Sequence, residues 1–312
     1  MTPVAKTCLV AGGAGFIGSW LCKDLLKKGY RIICVDNKIT GSESNISAVI
    51  KDKNFTFINH DITKPIRLDD HIDFVFHLAS PASPVHYQKY PIETLMSNSV
   101  GTFNMLNLAK DNNAKLLYAS SSEIYGDPKE HPQKETYRGN VNPNGPRSCY
   151  DESKRFSEAL ITSFSGLRWT IVRIFNTYGP YMNKNDGRIA PNIINQAINQ
   201  RPITIYGKGK QTRSFCYISD MIDGIERAMF SKKSAGEVMN LGNPDEINMI
   251  EFANLVISLT GSKSKMVFEK LPVDDPTRRC PDISKAQKIL SWSPRVNIRD
   301  GLATTIEYFR SI

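Results

Sequence analysis

Short runs of β-branched and aromatic residues alternate with longer amphipathic stretches through the first half of the chain. This is the pattern of a parallel sheet covered by helices. The runs predict strands at Thr7–Ala11, Arg31–Val35, Phe55–Ile58, Phe74–Leu78, Lys115–Ser120 and Thr170–Phe175, with helices between them. The first helix is expected to stop at Gly29, a natural left-handed terminator. Another is expected to begin after Ser148, whose hydroxyl can cap the turn, and to fade at Ser165-Gly166. After Phe175 the texture changes: Pro180, Pro191, Pro202, Pro244, Pro272, Pro276, Pro281 and Pro294 punctuate short elements. Met221 to Met239 still reads as a helix plus a strand returning to the main sheet. The expected fold is α/β, a Rossmann-type doubly wound parallel sheet over residues 1–175 that 217–243 rejoins. A smaller α+β domain is expected from 176–216 and 244–312.

Composition narrows the class. Of 312 residues, 40% are hydrophobic and 23% charged, which is globular rather than disordered. The longest apolar runs, such as Arg31–Val35, fall far short of the ~20 residues a bilayer span needs. Met1-Thr2-Pro3-Val4-Ala5-Lys6 runs straight into the first strand, so no signal peptide and a cytosolic location are expected. Six cysteines (Cys8, Cys22, Cys34, Cys149, Cys216, Cys280) are scattered without a C-x-x-C pair, and five histidines form no cluster. Reduced thiols and no metal site are expected. The net charge of +9 is spread without a basic run, arguing against nucleic acid and leaving a modest bias toward an anionic ligand such as a nucleotide diphosphate.

Two motifs carry chemistry. Gly12, Gly15 and Gly18 set a G-x-x-G-x-x-G turn between the first strand and helix. Such a turn brings backbone N–H groups and a helix N-terminus against a pyrophosphate. Asp36, at the end of the second strand, sits ~20 residues on, where a carboxylate holds a ribose diol and repels a 2′-phosphate. NAD is therefore expected rather than NADP. Tyr150 and Lys154, four apart, share one face of a helix. A phenol of pKa ~10 is a poor base at neutral pH, and a nearby ammonium favours its phenolate. Tyr150 can then take a hydroxyl proton from a carbon that NAD oxidises. Ser121, on the serine-rich strand end Ser120-Ser121-Ser122-Glu123, would hold the reacting oxygen.

With these motifs, R-I-F-N-T-Y-G-P at 173–180 makes the chain resemble the extended short-chain dehydrogenase/reductases that act on nucleotide sugars. The resemblance runs from residue 6 to the end. It is closest to the UDP-glucuronate decarboxylases (UDP-xylose synthases), through H-L-A-S-P-A-S-P at 77–84, S-E-I-Y-G-D-P at 122–128 and C-Y-D-E-S-K-R at 149–155. N-D-G-R at 185–188, Q-T-R-S-F at 211–215, N-L-G-N-P at 240–244 and D-D-P-T-R-R-C-P-D-I at 274–283 complete the likeness. Met96-Ser97 and Tyr181 depart from it, where those enzymes commonly carry basic residues in T-L-K-T-N and G-P-R-M. The Tyr150 helix also looks about three residues shorter.

The resemblance implies a catalytic set of Ser121, Glu123, Tyr150, Lys154 and Arg279, with Arg279 gripping the sugar carboxylate or the charge that develops as carbon dioxide leaves. It implies cofactor contacts from Gly12, Gly15, Phe16, Ile17, Gly18, Asp36, Asn37, Gly41, Asp61, Ile62, Leu78, Ser80, Tyr150, Lys154, Thr177 and Arg188. Substrate contacts are implied for Ser122, Asn176, Arg188, Tyr206, Arg213 and Arg279. The implied reaction oxidises C4 of the hexuronate, loses carbon dioxide from the resulting β-keto acid, and reduces the ketone with the same cofactor. A 4-epimerase or 4,6-dehydratase of nucleotide sugars is the alternative. A homodimer pairing through the Tyr150 helix and the helix near 92–111 is also implied.

Overall fold

The computed structural model describes residues 5–312; the opening Met1–Val4, on which the signal-peptide expectation partly rests, lies outside them. Seven strands form one parallel sheet: β1 (Thr7–Ala11), β2 (Arg31–Asp36), β3 (Phe55–Asn59), β4 (Phe74–His77), β5 (Lys115–Ser121), β6 (Arg168–Ile174) and β7 (Glu237–Leu241). Their spatial order is β3-β2-β1-β4-β5-β6-β7. The order reverses between β1 and β4, and in doubly wound sheets that crevice beyond the strand carboxyl ends takes the ligand.

Both faces of the sheet are covered, which is why the strands are continuous apolar runs. Leu21 and Leu25 of the Phe16–Lys27 helix pack with Cys8, Ile32 and Phe76 on one face. Met105, Leu106 and Ile161 pack with Leu9, Val75 and Leu116 on the other. The first helix ends as expected. Gly29 takes φ +85°, and Gly29 and Tyr30 N–H groups donate back to Leu26 and Leu25 carbonyls at 2.9 and 3.1 Å. The Ser148–Ser163 helix starts differently: Arg147 is its N-cap residue and Ser148 lies inside the first turn. A turn closed by Ser148 N–H on the Gly145 carbonyl (3.0 Å) delivers the chain already helical, so the Ser148 hydroxyl caps nothing. The helix also stops at Ser163, two residues before the expected Ser165-Gly166, because Phe164 turns to extended backbone.

The expected return to the sheet is present. After the Ile218–Phe230 helix, β7 pairs in parallel with β6, Glu237 opposite Thr170 through Leu241 opposite Ile174. Outside the sheet, the later residues build small ones. Thr212–Ser214 pairs with Glu246–Asn248 on one side and with Arg278–Arg279 on the other, which sets Arg213 beside Arg279.

Candidate active site

A cavity of about 520 Å³ runs along the carboxyl ends of the central strands and under the small sheets. Its floor at β1 is the glycine turn. Gly12 sits at φ +81°, and a Cβ there would meet the backbone of Leu78 and Ala79 at 2.7–2.8 Å. A Cβ on Gly18 would strike the Gly12 carbonyl at 2.1 Å, so the helix can approach its own turn only as glycine. Gly15 caps the helix with no side chain, leaving the first-turn N–H groups free of a side-chain partner and facing the cleft.

Tyr150, Ser153, Lys154, Ser157 and Ile161 form the buried face of the Ser148–Ser163 helix. That face lies on the segment Pro91–Met96 and on a π turn at Ser97–Gly101. The π turn presents Asn98, whose amide donates to Ser80 Oγ (2.8 Å) and Ser153 Oγ (3.1 Å) and whose carbonyl oxygen accepts from Tyr118 (3.0 Å). Lys154 Nζ donates to the Ala119 carbonyl at 2.8 Å and lies 4.7 Å from the Tyr118 ring centre and 5.7 Å from that of Tyr150. The Tyr150 ring stacks on Tyr87, centroids 5.1 Å apart. Burial pushes the Tyr150 phenol up to about 12, while the adjoining Ser121 hydroxyl and the Arg188 charge draw it back. Burial also lowers Lys154 to about 7, opposed by Glu158 four residues on.

Glu123 sits between two arginines. Arg147 Nη2 donates to its Oε2, and Arg279 Nη1 lies 3.1 Å from Oε1. Burial would raise the carboxyl, but the Arg147 and Arg279 charges outweigh it and hold Glu123 at about 2. Arg279 is 1% exposed; it donates to Ser122 Oγ (3.0 Å) and the Gly126 carbonyl (2.8 Å), and its Nε is buried without a partner. Asp275 joins the cluster, 2.9 Å from Arg213 and 3.6 Å from Arg147. Arg188 forks onto Asp186 at 2.5 and 2.8 Å.

Most of the expected residues meet in this cavity. Gly12, Gly15, Phe16, Ile17, Gly18, Leu78, Ser80, Ser121, Ser122, Glu123, Tyr150, Lys154, Asn176, Thr177, Arg188, Tyr206, Arg213 and Arg279 all line it. Asp36, Asn37, Gly41, Asp61 and Ile62 do not; at that end the wall is Thr40 and Asn45. Asp36 accepts backbone N–H groups from Ala14 (3.0 Å) and Lys38 (2.7 Å), Asp61 holds Thr63, and the Ile62 side chain is buried in the core against Gly101.

The model of the NAD dependent epimerase/dehydratase family matches residues 8–242. The chain belongs to that family. It is 47% identical to UDP-glucuronic acid decarboxylase 1 of Xenopus tropicalis over 98% of this chain and 72% of the relative. It is 46% identical to UDP-glucuronic acid decarboxylase 1 of Arabidopsis thaliana over 97% of this chain and 69% of the relative. Among solved structures, UDP-glucuronic acid 4-epimerase of Bacillus cereus, in complex with UDP-glucuronic acid and NAD, superposes with a TM-score of 0.87. It is 29% identical, with 98% of this chain and 99% of that one covered.

The epimerase/dehydratase family cofactor is NAD, and the residues fit it. The side-chain-free cradle at Gly12, Gly15 and Gly18 admits a pyrophosphate, and the buried Lys154 and Tyr150 stand across the cleft. Three site residues escaped the sequence reading: Arg147, Tyr87 and Asp275. Arg147 is three residues before Tyr150 in G-P-R-S-C-Y, and Asp275 stood unassigned in the D-D-P motif. Tyr87 carried no signal, since only the fold stacks it on Tyr150. Of the departures, Tyr181 takes φ +69° in the cleft wall, and the Lys23 ammonium lies 3.2 Å from its ring centre.

Proposed function

We propose that this protein decarboxylates UDP-glucuronate to UDP-xylose through a 4-keto intermediate, with Tyr150 as base and NAD returned to its oxidised form in each turnover. The observation that carries the reading is the Arg147–Glu123–Arg279 cluster beside Tyr150. Support comes from the 46–47% identity to UDP-glucuronic acid decarboxylases over nearly the whole chain.

NAD, when bound, supplies a reversible two-electron acceptor for the sugar carbon. Gly12, Gly15 and Gly18 would hold its pyrophosphate and Asp36 its adenosine ribose. Tyr150 would take the C4 hydroxyl proton, its phenolate favoured by the Arg188 charge and the Ser121 hydroxyl, with Lys154 held beside its ring. Ser121 orients the same oxygen. Once that oxygen is a carbonyl, the C5 carboxylate is β to it, so carbon dioxide departs to leave an enolate. The Ser121 and Tyr150 hydroxyls would donate to the enolate oxygen while C5 takes a proton from water in place of the lost carboxylate, before the ketone is reduced again.

Glu123, ionised at any neutral pH, serves as an acceptor for sugar hydroxyls rather than as a proton donor. Arg147, Arg188, Arg213 and Arg279 outnumber Glu123, Asp186 and Asp275 around the cleft. Burial and the nearby Glu123 charge push the Asp151 carboxyl up, which weakens its negative contribution to the cleft. The positive excess suits a ligand that carries both a diphosphate and a carboxylate.

The protein is further read as a cytosolic homodimer. Ile92 (65% exposed), Leu95, Met96, Phe103 and Phe156 are exposed apolar side chains on the segments expected to pair. Among the described residues no helix is long and apolar enough to cross a membrane. Residues 1–175 with 217–243 would carry the cofactor, and 176–216 with 244–312 the nucleotide sugar.

The test is product analysis. Incubation with carboxyl-labelled UDP-glucuronate and substoichiometric NAD is expected to release labelled carbon dioxide and accumulate UDP-xylose. A C4 epimer with its carboxylate retained would place the chain with the 4-epimerases instead, and a 4-keto-6-deoxy product from a neutral nucleotide hexose with the 4,6-dehydratases.

A further inference from the structure

Outside the cavity lining, three residues far apart in sequence converge. His131 Nε2 lies 2.8 Å from Glu246 Oε2, and the Cys280 sulfur completes a group whose ligand atoms all lie within 4.8 Å of one another. Glu246 is already oriented, because its other oxygen accepts from Thr212 at 2.6 Å. Cys280 is 3% exposed and is anchored by its own N–H to the Gln133 side chain at 2.9 Å. Asp245 and Asp282 add negative charge around the sulfur. No spacing in the sequence announces this set, since each ligand comes from a different loop or strand.

We propose that His131, Glu246 and Cys280 form a site for a thiophilic divalent cation, zinc being the best match. Imidazole, carboxylate and thiolate are the three donor types zinc accepts, with a fourth position left to water. Tetrahedral zinc needs the Cys280 sulfur drawn in toward the His131 nitrogen and the Glu246 oxygen from the present spread of up to 4.8 Å, while those two atoms, now 2.8 Å apart, part slightly. The neutral thiol would give up its proton on binding, so uptake releases about one proton per metal. Calcium and magnesium are excluded by the sulfur.

The site has a mechanical consequence. Cys280 directly follows Arg279, whose guanidinium holds Glu123 and Ser122. Drawing the sulfur toward His131 and Glu246 pulls on the short strand Arg278–Arg279 that carries this guanidinium. Metal uptake is thereby expected to lower turnover. The effect on turnover rests on the function proposed above; the binding does not.

The probe is cobalt(II), added to the reduced, metal-free full chain. One equivalent is expected to produce a thiolate-to-cobalt charge-transfer band that zinc abolishes by displacement, and zinc is expected to raise Tm by several degrees. Cys280→Ser should lose the band and the Tm shift while keeping metal-free turnover, and His131→Ala should weaken cobalt binding at least tenfold. Cys149→Ser, at the one cysteine of the described residues that is not buried, should leave the band and the Tm shift unchanged. A band that survives Cys280→Ser, or no band in the wild type, overturns the site. A wild-type protein that takes up zinc with unaltered carbon dioxide release, in a preparation that is an active decarboxylase, overturns the link to Arg279.

Discussion

Arg279 and Glu123, 156 residues apart in the chain, meet with Nη1 3.1 Å from Oε1. The arginine serves two purposes there. It keeps Glu123 ionised and fixed, and it leaves a positive charge at the wall where a sugar carboxylate would lie. Arg279→Ala should therefore cut carbon dioxide release by on the order of 10²-fold, ~3 kcal/mol of transition-state stabilisation, while NAD stays bound. Arg279→Lys should rescue little, since one ammonium cannot span Ser122, Glu123 and Gly126 together. Single-turnover carbon dioxide capture alongside NAD titration checks this; wild-type rates in the alanine variant would take Arg279 out of the mechanism.

Tyr150→Phe is expected to stop the reaction earlier. The first oxidation needs the phenol oxygen, so no transient reduced-cofactor absorbance should form, whereas Glu123→Gln should slow turnover and still show it. The stack on Tyr87 survives in Tyr150→Phe, so circular dichroism and Tm should stay close to wild type.

Cofactor choice is expected to follow Asp36. Its two oxygens already accept backbone N–H groups from Ala14 and Lys38, which orients the carboxylate at the end of β2. Asp36→Ala should weaken NAD and relax discrimination against NADP. Equal preference in variant and wild type, measured by the ratio of the two dissociation constants, would remove Asp36 from the adenosine ribose.

The exposed apolar face gives an oligomer prediction. Phe156, 52% exposed, and Ile92, 65% exposed, should be covered in a dimer. The double change Ile92→Glu with Phe156→Glu should convert a dimeric mass in sedimentation to a monomeric one. A wild type that is already monomeric at micromolar concentration would dismiss the pairing.

Acid stability should depend on His77. Burial, helped by the Lys154 charge, pushes this imidazole down to about 3, while Nε2 contacts Thr102 at 3.0 Å. Its folded pKa lies below its unfolded value, so the unfolded chain takes up a proton that the folded chain refuses. Stability attributable to His77 is complete above pH ~6.5 and falls by up to ~1.4 kcal/mol per pH unit between there and pH ~3. His77→Asn should flatten that part of the curve, measured as urea midpoints from pH 7 to pH 4. Parallel curves for the two proteins would mean that His77 titrates normally.

Six of the seven sheet strands were legible to within one or two residues at each end. Strands buried on both faces read as short, nearly continuous apolar runs, which the turns between them set apart. The glycine turn and the Tyr150–Lys154 face were legible for the same local reason, being set by spacing along one element. The start of the Tyr150 helix was misread because Ser148 has the right chemistry for a cap, while the preceding turn had already fixed the geometry. Tyr87, Arg147 and Asp275 stayed hidden because their partners lie on other elements. Likewise, Asp36, Asn37, Asp61 and Ile62 follow the strand ends, yet their side chains bond locally or pack inward instead of lining the cavity, and Gly41 lies against the Asp36 carboxylate.

The late return of β7 bears on how the chain can be cut. A fragment ending near residue 175 would contain the glycine turn, Asp36 and the Tyr150–Lys154 pair, but β6 would keep one edge unpaired along Thr170–Ile174. Those residues are largely buried and apolar in the intact sheet. A bare, hydrophobic strand edge is a template for other chains, so the half that looks self-contained in sequence would be prone to aggregate until Glu237–Leu241 is supplied.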